Sequence, residues 1–277
     1  MKTIRQAVAD AAQRLHGEYV VRDAELLLMH VIGATRSSLL ANPQRVLTRE
    51  EEMTFSAMAA ERATGRPIQH ITGMQEFFGL AFAVTPDVLI PRPETEHLVE
   101  AVIARLSKDR AVKIADVGTG SGAIAVALAH ALPLAQVTAL DISPAALDVA
   151  ARNAVKHGVA ARVKFLESDL LAACVGEVFD VIVSNPPYIA DGERYDLELQ
   201  VREFEPPLAL FAGKTGFEIY ERLIPQAWNS LHGGGLLAME MGFGQSTRLA
   251  EMLRDWKNVK LVNDLRGIPR VALAWRG

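Results

Sequence analysis

The chain changes its hydrophobic pattern twice along its length. Up to about residue 66, apolar residues recur at helical spacing, as at Ala24, Leu27 and Leu28. Thr48 precedes three consecutive glutamates, which is typical of a helix N-cap followed by an acidic first turn. We therefore predict a small helical bundle over residues 1–66, which contains no recognisable catalytic motif.

Residues 67–91 no longer show helical spacing. The runs IQHITG, EFFG and LAFAV are short and β-prone, and Gly73 and Gly79 interrupt them. This pattern predicts a β-hairpin linker over residues 67–91. The motif LIPRPETE comes next and opens a helix, so helix capping is favoured for Arg92 and Thr95 over a place at the border of a ligand crevice.

From residue 112 onward, strand and helix patterns alternate. The predicted strands are VKIADV, QVTALD, VKFLES, DVIVSN, GLLAMEM, VKLVND and RVALAW. The predicted helices are Ala123–Ala131, Pro144–His157, Gly216–Leu231 and Ser246–Trp256. Alternation of this kind predicts an α/β domain over residues 92–277, with a mostly parallel sheet covered on both faces. No helix separates the last two strands, which favours a final antiparallel hairpin, and His232-Gly233-Gly234-Gly235 is interpreted as a helix C-cap and turn.

Composition narrows the class of protein. The 277 residues are 50% hydrophobic and 22% charged, as expected for one large globular domain with a small one. No run reaches the about 18 apolar residues of a membrane helix, and the first residues lack the apolar core of a signal peptide, so a cytoplasmic location is expected. The single cysteine, Cys174, and seven scattered histidines predict no disulfide framework and no metal site.

Charge argues against a nucleic-acid substrate. The net charge is −4, with nine Lys and Arg against eight Asp and Glu in residues 1–75, and 20 against 25 in the remainder. An enzyme that acts on nucleic acid more often carries a basic tract, and none is visible here.

A glycine-rich motif follows the first strand of the α/β region. It reads Asp116-Val117-Gly118-Thr119-Gly120-Ser121-Gly122 and leads directly into a helix. Glycines allow a sharp turn and close approach of a ligand to the main chain, and the helix start offers unpaired N–H groups. Because Ala123 also completes a relaxed dinucleotide fingerprint, the loop predicts a cofactor site without specifying the cofactor.

Two acidic residues extend this site. Asp141 ends the second strand, where it could accept hydrogen bonds from both hydroxyls of a ribose or cap the following helix. Asp169 follows the third strand and could bind the amino group of an adenine, with Leu170 against the ring; a surface turn is the alternative. Together with the glycine loop, these positions favour an adenosine-type cofactor.

The tetrapeptide Asn185-Pro186-Pro187-Tyr188 follows the fourth strand and indicates the chemistry. Two prolines end the strand ladder and fix the backbone. The side-chain oxygen of Asn185 and the carbonyl of Pro186 are two acceptors, which suit the two donors of an –NH₂ group. Tyr188 offers a flat face to a planar group. The sequence therefore predicts methyl transfer to an amide or amine nitrogen. A dehydrogenase would have no use for this tetrapeptide.

The order of these motifs, together with FEPPLAL at residues 204–210, resembles the HemK-type protein-(glutamine-N5) methyltransferases over nearly the whole chain. The resemblance implies a seven-stranded Rossmann-like class I methyltransferase sheet, S-adenosylmethionine as donor and S-adenosylhomocysteine as product. It implies as substrate the glutamine of the Gly-Gly-Gln motif of class I peptide chain release factors. Apart from the resemblance, we expect a monomer without membrane or direct nucleic-acid partners.

The resemblance also assigns roles to residues. It implies that Gly118 to Gly122 hold the methionine part of the cofactor, that Asp141 binds the ribose, and that Asp169 and Leu170 flank the adenine. Asn185 would touch both the cofactor and the target amide. The resemblance further implies that Pro186, Pro187 and Tyr188 shape the amide slot. We expect direct displacement, in which the amide nitrogen attacks the sulfonium methyl group and a proton leaves afterwards, so that no dedicated general base is required.

Three alternative functions remain at this point. A glutamine methyltransferase could act on a ribosomal protein, in which case residues 1–66 would decide the partner. An adenine-N6 methyltransferase would need a basic groove. A non-catalytic binding module would not need an intact cofactor loop. The charged segment Asp191–Glu205 is expected either to cover the substrate or to be a solvated connection.

Overall fold

The computed structural model describes residues 1–277 and divides them into two compact units. The first unit contains residues 1–74 and 198–204, and the second contains residues 75–197 and 205–277. Every helix is too short or too polar to cross a lipid bilayer.

The first unit is built from helices. They are α1 (Ile4–Ala12), α2 (Val20–Ile32), α3 (Arg36–Ala41), α4 (Arg49–Ala63), α5 (Ile68–Thr72) and α9 (Leu199–Phe204). Leu27, Leu28 and Phe55 are buried in the core of this unit. The predicted N-cap at Thr48 is confirmed, because its hydroxyl accepts a hydrogen bond from the main-chain nitrogen of Glu51 in a capping box.

The β-prone interpretation of IQHIT is wrong, because these residues form α5. Pro67 precedes the helix, and Gly73 ends it in the left-handed conformation, with φ of 72°. Ile68 and Ile71, three residues apart, pack against the helical core, and that contact outweighs their β propensity. The β-structure of the segment begins later, where strands β1 (Met74–Phe77) and β2 (Leu80–Ala83) form a two-stranded hairpin.

The main sheet of the second unit has seven strands. They are β3 (Val112–Val117), β4 (Ala135–Asp141), β5 (Val163–Glu167), β6 (Phe179–Ser184), β9 (Leu231–Glu240), β10 (Lys257–Asn263) and β11 (Pro269–Trp275). Their spatial order is β10-β11-β9-β6-β3-β4-β5. Five strands are parallel, and β10 and β11 form the antiparallel hairpin that the sequence predicts. A separate parallel pair, β7 (Ile189–Ala190) and β8 (Phe211–Gly213), lies outside this sheet.

Helices cover both faces of the sheet. They are α6 (Glu96–Ile103), α7 (Ala123–Ala131), α8 (Pro144–Lys156), α10 (Glu218–Ser230) and α11 (Ser246–Met252). Successive residues of a strand face opposite sides, so Ile114 of β3 lies in the core under α6 and α7 while Ala115 lies in the core under α10 and α11. Since both faces are filled, the open positions for a ligand lie at the carboxyl ends of the parallel strands.

The predicted turn at residues 232–235 is instead part of β9. Phe179 of β6 pairs with Leu231, but the next paired residue, Val181, aligns with Leu236. The glycines therefore form an irregular bulge at the start of the strand, in which Gly234 has φ of 83°.

Candidate active site

The strand register brings the predicted site residues to one edge of the sheet. Ser184 of β6 pairs with Val117 of β3 on one side and with Met239 of β9 on the other. The next residue of each strand is therefore Gly118, Asn185 or Glu240, and these three lie side by side at the carboxyl edge.

The glycine loop turns back over the end of β4. The main-chain nitrogens of Gly118 and Thr119 both donate to the carbonyl of Leu140, over 2.8 and 2.9 Å. A Cβ atom at Gly118 or Gly120 would meet no atom within 4 Å, whereas a Cβ at Gly122 would lie 2.9 Å from the Cβ of Ala150. Gly122 thus serves packing between α7 and α8, and the first two glycines leave the open space that a ligand of this loop requires.

Asp116 holds the glycine loop through hydrogen bonds to its carboxylate. Its Oδ2 accepts hydrogen bonds from the Thr119 hydroxyl at 2.7 Å and from the Ala125 main-chain nitrogen at 3.1 Å. Its Oδ1 is buried without a hydrogen-bond partner. Burial raises the pKa of Asp116 to about 7, although both hydrogen bonds oppose the shift.

Asp141 links the glycine loop to the next helix. Its Oδ2 accepts from the main-chain nitrogen of Gly120 at 2.8 Å, and its Oδ1 accepts from that of Ser143 at 2.9 Å. Ser143, not Asp141, caps α8 through the Ala146 nitrogen. Burial raises the pKa of Asp141, and the main-chain hydrogen bonds counteract part of that increase.

Asp169 and Leu170 follow β5, where Asp169 is half exposed. The Asp169 carboxylate forms an ion pair of 2.5 Å with Arg222 of α10, and both side chains are about half exposed, at 50% and 49%. Leu170 has φ of 54° and is half-buried against the core under α10. The adenine contacts expected of these two residues stay a prediction.

The Asn185 side chain has a defined orientation. Its Nδ2 donates a hydrogen bond of 3.0 Å to the Thr95 hydroxyl oxygen. Thr95 is buried, at 4% exposure, and lies 90 residues earlier in the chain. Because Nδ2 faces Thr95, the amide oxygen Oδ1 remains available as an acceptor, as does the carbonyl of the buried Pro186.

Arg92 and Thr95 occupy N-cap positions, as helix capping predicts, but neither side chain makes a capping hydrogen bond. Arg92 instead forms an ion pair of 2.5 Å with Glu205, whose side chain is 1% exposed. The second oxygen of Glu205 accepts from the Ile90 main-chain nitrogen at 3.1 Å. The carboxylate of Glu205 thus joins the motifs LIPRPETE and FEPP. Because Glu205 is buried and bound at both oxygens, this end of the Asp191–Glu205 segment is fixed in place and is not a solvated connection.

Gln245 fixes the turn that contains Tyr188. Its Nε2 donates to the Tyr188 carbonyl at 2.9 Å, and its Oε1 accepts from the Gly242 nitrogen at 3.0 Å. A Cβ at Gly242 would lie 2.9 Å from Cδ2 of Tyr188, so this glycine allows the ring to approach the main chain. Burial, with the nearby Glu240 carboxyl, raises the pKa of Tyr188 to about 12 and keeps the phenol neutral.

Sequence reasoning assigned no individual role to three residues of this region: Glu205, Glu240 and Gln245. Glu240 alone had a visible signal, because it is a carboxylate inside the otherwise apolar strand GLLAMEM. Gln245 lies in a polar turn, and Glu205 belongs to the motif FEPPLAL, whose residues alone do not show which group the carboxylate binds.

The sheet order, the glycine loop after β3 and the NPPY turn after β6 together define a Rossmann-like class I methyltransferase with an N-terminal helical region. The family model described as the methyltransferase small domain matches residues 95–203. The model described as the PrmC N-terminal domain matches residues 6–73.

Similar proteins narrow this class. A release factor glutamine methyltransferase of Koribacter versatilis is 46% identical over 275 residues, which cover 98% of each chain. The protein of the same description from Moorella thermoacetica is 45% identical, with 99% of each chain covered. A 16S rRNA methyltransferase from T. thermophilus, in complex with AdoMet and guanosine, shares the fold with a TM-score of 0.55 and 20% identity, covering 74% of this chain and 50% of that one. The chain belongs to the family of release factor glutamine methyltransferases.

Proposed function

We propose that this protein transfers a methyl group from S-adenosylmethionine to the side-chain amide nitrogen N5 of the glutamine in the Gly-Gly-Gln motif of class I peptide chain release factors. The relatives that bear the corresponding description align over nearly their full length. The observation that carries the proposal is the Asn185 amide, which is oriented by Thr95 so that its oxygen remains free beside the Pro186 carbonyl.

The residues at the carboxyl edge fit the methyl donor. The open faces of Gly118 and Gly120 allow the methionine part to approach the main chain. Asp141 would bind the ribose, and the segment from Asp169 to Leu170 would flank the adenine. When bound, S-adenosylmethionine supplies a methyl group made electrophilic by the positive charge on its sulfur.

The NPPY turn would hold the target amide. Asn185 Oδ1 and the Pro186 carbonyl accept its two N–H bonds, and Pro187 and Tyr188 form the walls of the slot. Holding both N–H bonds directs the nitrogen toward the methyl group, and orientation of this kind contributes roughly 7–11 kcal/mol in favourable cases. The two fixed carbonyl dipoles stabilise the positive charge that develops on the nitrogen, which then releases a proton without a dedicated base.

The helical unit would recognise the release factor outside its Gly-Gly-Gln motif. The division proposed is a partner-recognition domain at 1–66, a linker at 67–91 and a methyltransferase domain at 92–277. Two observations support a separate N-terminal domain: the PrmC N-terminal domain match at residues 6–73, and the grouping of residues 1–74 with 198–204 into one compact unit.

The test is transfer of labelled methyl from S-adenosylmethionine to a purified class I release factor. The expected result is one methyl group on the motif glutamine, no transfer to a Gln-to-Ala variant of the release factor, and slower transfer to a short peptide that carries the motif alone. Efficient transfer to ribosomal proteins or DNA, with none to the release factor, would contradict the proposal.

A further inference from the structure

Glu240, at the carboxyl end of β9, has no role in the function proposed so far. Its side chain is 2% exposed, and its Oε2 is buried without a hydrogen-bond partner. Burying a carboxyl group whose oxygens are incompletely paired is unfavourable, so its presence inside an apolar strand requires an explanation. The strand register sets it next to Asn185, because the preceding residues Met239 and Ser184 are paired.

Thr95 connects Glu240 with Asn185. The Thr95 oxygen accepts the hydrogen bond from Asn185 Nδ2 at 3.0 Å. Its hydroxyl also lies close enough to the Glu240 carboxyl to lower the pKa of that group. A threonine hydroxyl has one hydrogen, which the bond from Asn185 leaves free, and an ionised carboxylate can only accept, so Glu240 is the acceptor toward which this hydrogen is expected to turn. With the Thr95 hydrogen turned toward Glu240, the Thr95 oxygen can only accept from Asn185, which sets the orientation of the Asn185 amide.

We propose that Glu240 is a positioning residue, which acts through the Thr95 hydroxyl to hold the Asn185 amide with Nδ2 inward and Oδ1 toward the target. If the Thr95 hydrogen were not engaged by Glu240, it could be donated to Asn185 Oδ1 after rotation of the amide. The rotated amide would present its own N–H groups to the N–H groups of the substrate. This inference rests on the proposed role of Asn185 as an acceptor.

The charge state of Glu240 should therefore influence turnover. Burial raises the pKa of Glu240 to about 7. The other ionisable side chains that act on this region are Arg92, Glu94, Tyr188, Tyr220 and Arg270.

None of these groups neutralises Glu240 by direct pairing. Arg92 is engaged by Glu205 and Arg270 by Asp264. Burial raises the pKa of both Tyr188 and Tyr220, so these phenols stay neutral near pH 7. As pH rises through about 7, Glu240 loses its proton and becomes an obligatory acceptor for Thr95, so kcat should rise over the same interval.

The test compares substitutions that keep or remove each hydrogen bond. Thr95→Val and Glu240→Met remove the link and should lower kcat about tenfold, the effect expected for loss of one hydrogen bond. Thr95→Ser keeps the hydroxyl and should retain most of the wild-type turnover. Glu240→Gln keeps an acceptor without a charge, so it should retain more activity than Glu240→Met and lose the inflection of kcat near pH 7.

Two measurements separate positioning from a structural role. Binding of S-adenosylmethionine, measured by calorimetry, should change less than about twofold in Thr95→Val and Glu240→Met, because neither side chain supports the glycine loop. The side-chain NH₂ signal of Asn185 in nitrogen-15 spectra should shift with pH through about 7 in the wild type and not in Glu240→Gln. Asp180→Asn, a carboxylate change at the opposite end of β6, is the control and should leave turnover and its pH profile unchanged.

The outcomes are distinguishable. Wild-type turnover in Glu240→Met, or a parallel loss of turnover, cofactor affinity and thermal stability in both link variants, would overturn the proposal. If the wild type methylated no release factor while the Asn185 signal still followed Glu240, the proposed substrate would be wrong and the positioning role would stand.

Discussion

The two ends of the active site are supported in different ways. The glycine loop is held by residues near it in the chain: Thr119 bonds to Asp116 three residues away, and Gly120 bonds to Asp141 at a separation of 21. The NPPY turn is held by distant residues, with Thr95 90 residues before Asn185 and Gln245 57 residues after Tyr188. The glycine loop is therefore supported over short separations in the chain, and the NPPY turn over much longer ones.

Asn185→Ala is the sharpest test of this division and has the largest expected effect. Removal of one fixed acceptor should lower kcat about 10²–10³-fold, or roughly 3–4 kcal/mol, while the Kd for S-adenosylmethionine changes less than about threefold. Single-turnover kinetics and calorimetry measure the two quantities.

A matched asparagine serves as the control for Asn185→Ala. Asn153 donates to the Ser121 carbonyl at 2.8 Å, on the cofactor side. Asn153→Ala should weaken cofactor binding and lower the free energy of unfolding, since it leaves buried main-chain groups unpaired. Equal losses of kcat and cofactor affinity in Asn185→Ala would show that the two ends are not functionally separate.

Within the glycine loop, Gly122→Ala and Gly118→Ala should have different consequences. Both residues have positive φ, 78° and 74°, which is strained for alanine by about 1–2 kcal/mol. Only at Gly122 does the new Cβ also meet Ala150, at 2.9 Å, and overpacking adds roughly 1–3 kcal/mol.

Gly122→Ala should therefore lower the free energy of unfolding more than Gly118→Ala does. The alanine at position 118 points into open space and should instead raise the Kd for S-adenosylmethionine. Denaturant unfolding and calorimetry test both statements, and a larger loss of stability at position 118 would contradict the division of roles in this loop.

The same distinction between local and distant support explains what the sequence predicted. The bounds of α7, Ala123–Ala131, and of β3, Val112–Val117, agree with the predictions because periodic burial and the glycine loop define them locally. The β-prone interpretation of residues 68–72 failed because contacts of Ile68 and Ile71 with a helical core decided the conformation. The predicted turn at residues 232–235 failed because pairing with β6 decides where β9 begins.

The same distinction between local and distant support applies to the active site. Asn185 was recognisable from the prolines that follow it, but the orientation of its amide depends on Thr95 and could not be predicted from either motif alone. Glu205 and Gln245 owe their positions to folding, because each bonds to main-chain groups far away in the sequence. A motif predicts which groups react, and the tertiary structure determines how they are oriented.

Substitution of two glutamines, one at each end of the active site, tests the same comparison. The expected effects are smaller than those of Asn185→Ala. Gln245→Met leaves the Tyr188 carbonyl and the Gly242 nitrogen without these partners. It should lower kcat, because the activation free energy rises by about 1–2 kcal/mol. Gln226, which accepts from the Leu171 nitrogen at 3.0 Å, supports the segment after β5. Gln226→Met should raise the Kd for S-adenosylmethionine instead of lowering kcat. Identical kinetic profiles for the two variants would contradict separate support of the two ends.

Arg222→Gln has the smallest expected effect. The ion pair of Arg222 with Asp169 is half exposed, and such pairs contribute about 0–1 kcal/mol, so the free energy of unfolding should change little. If the Asp169 carboxylate accepts a hydrogen bond from the adenine amino group, freeing this carboxylate from Arg222 should leave the Kd for S-adenosylmethionine unchanged or lower it by about twofold. Arg254→Gln, at another exposed pair, is the control. A marked loss of cofactor affinity in Arg222→Gln alone would assign adenine recognition to the arginine and not to Asp169.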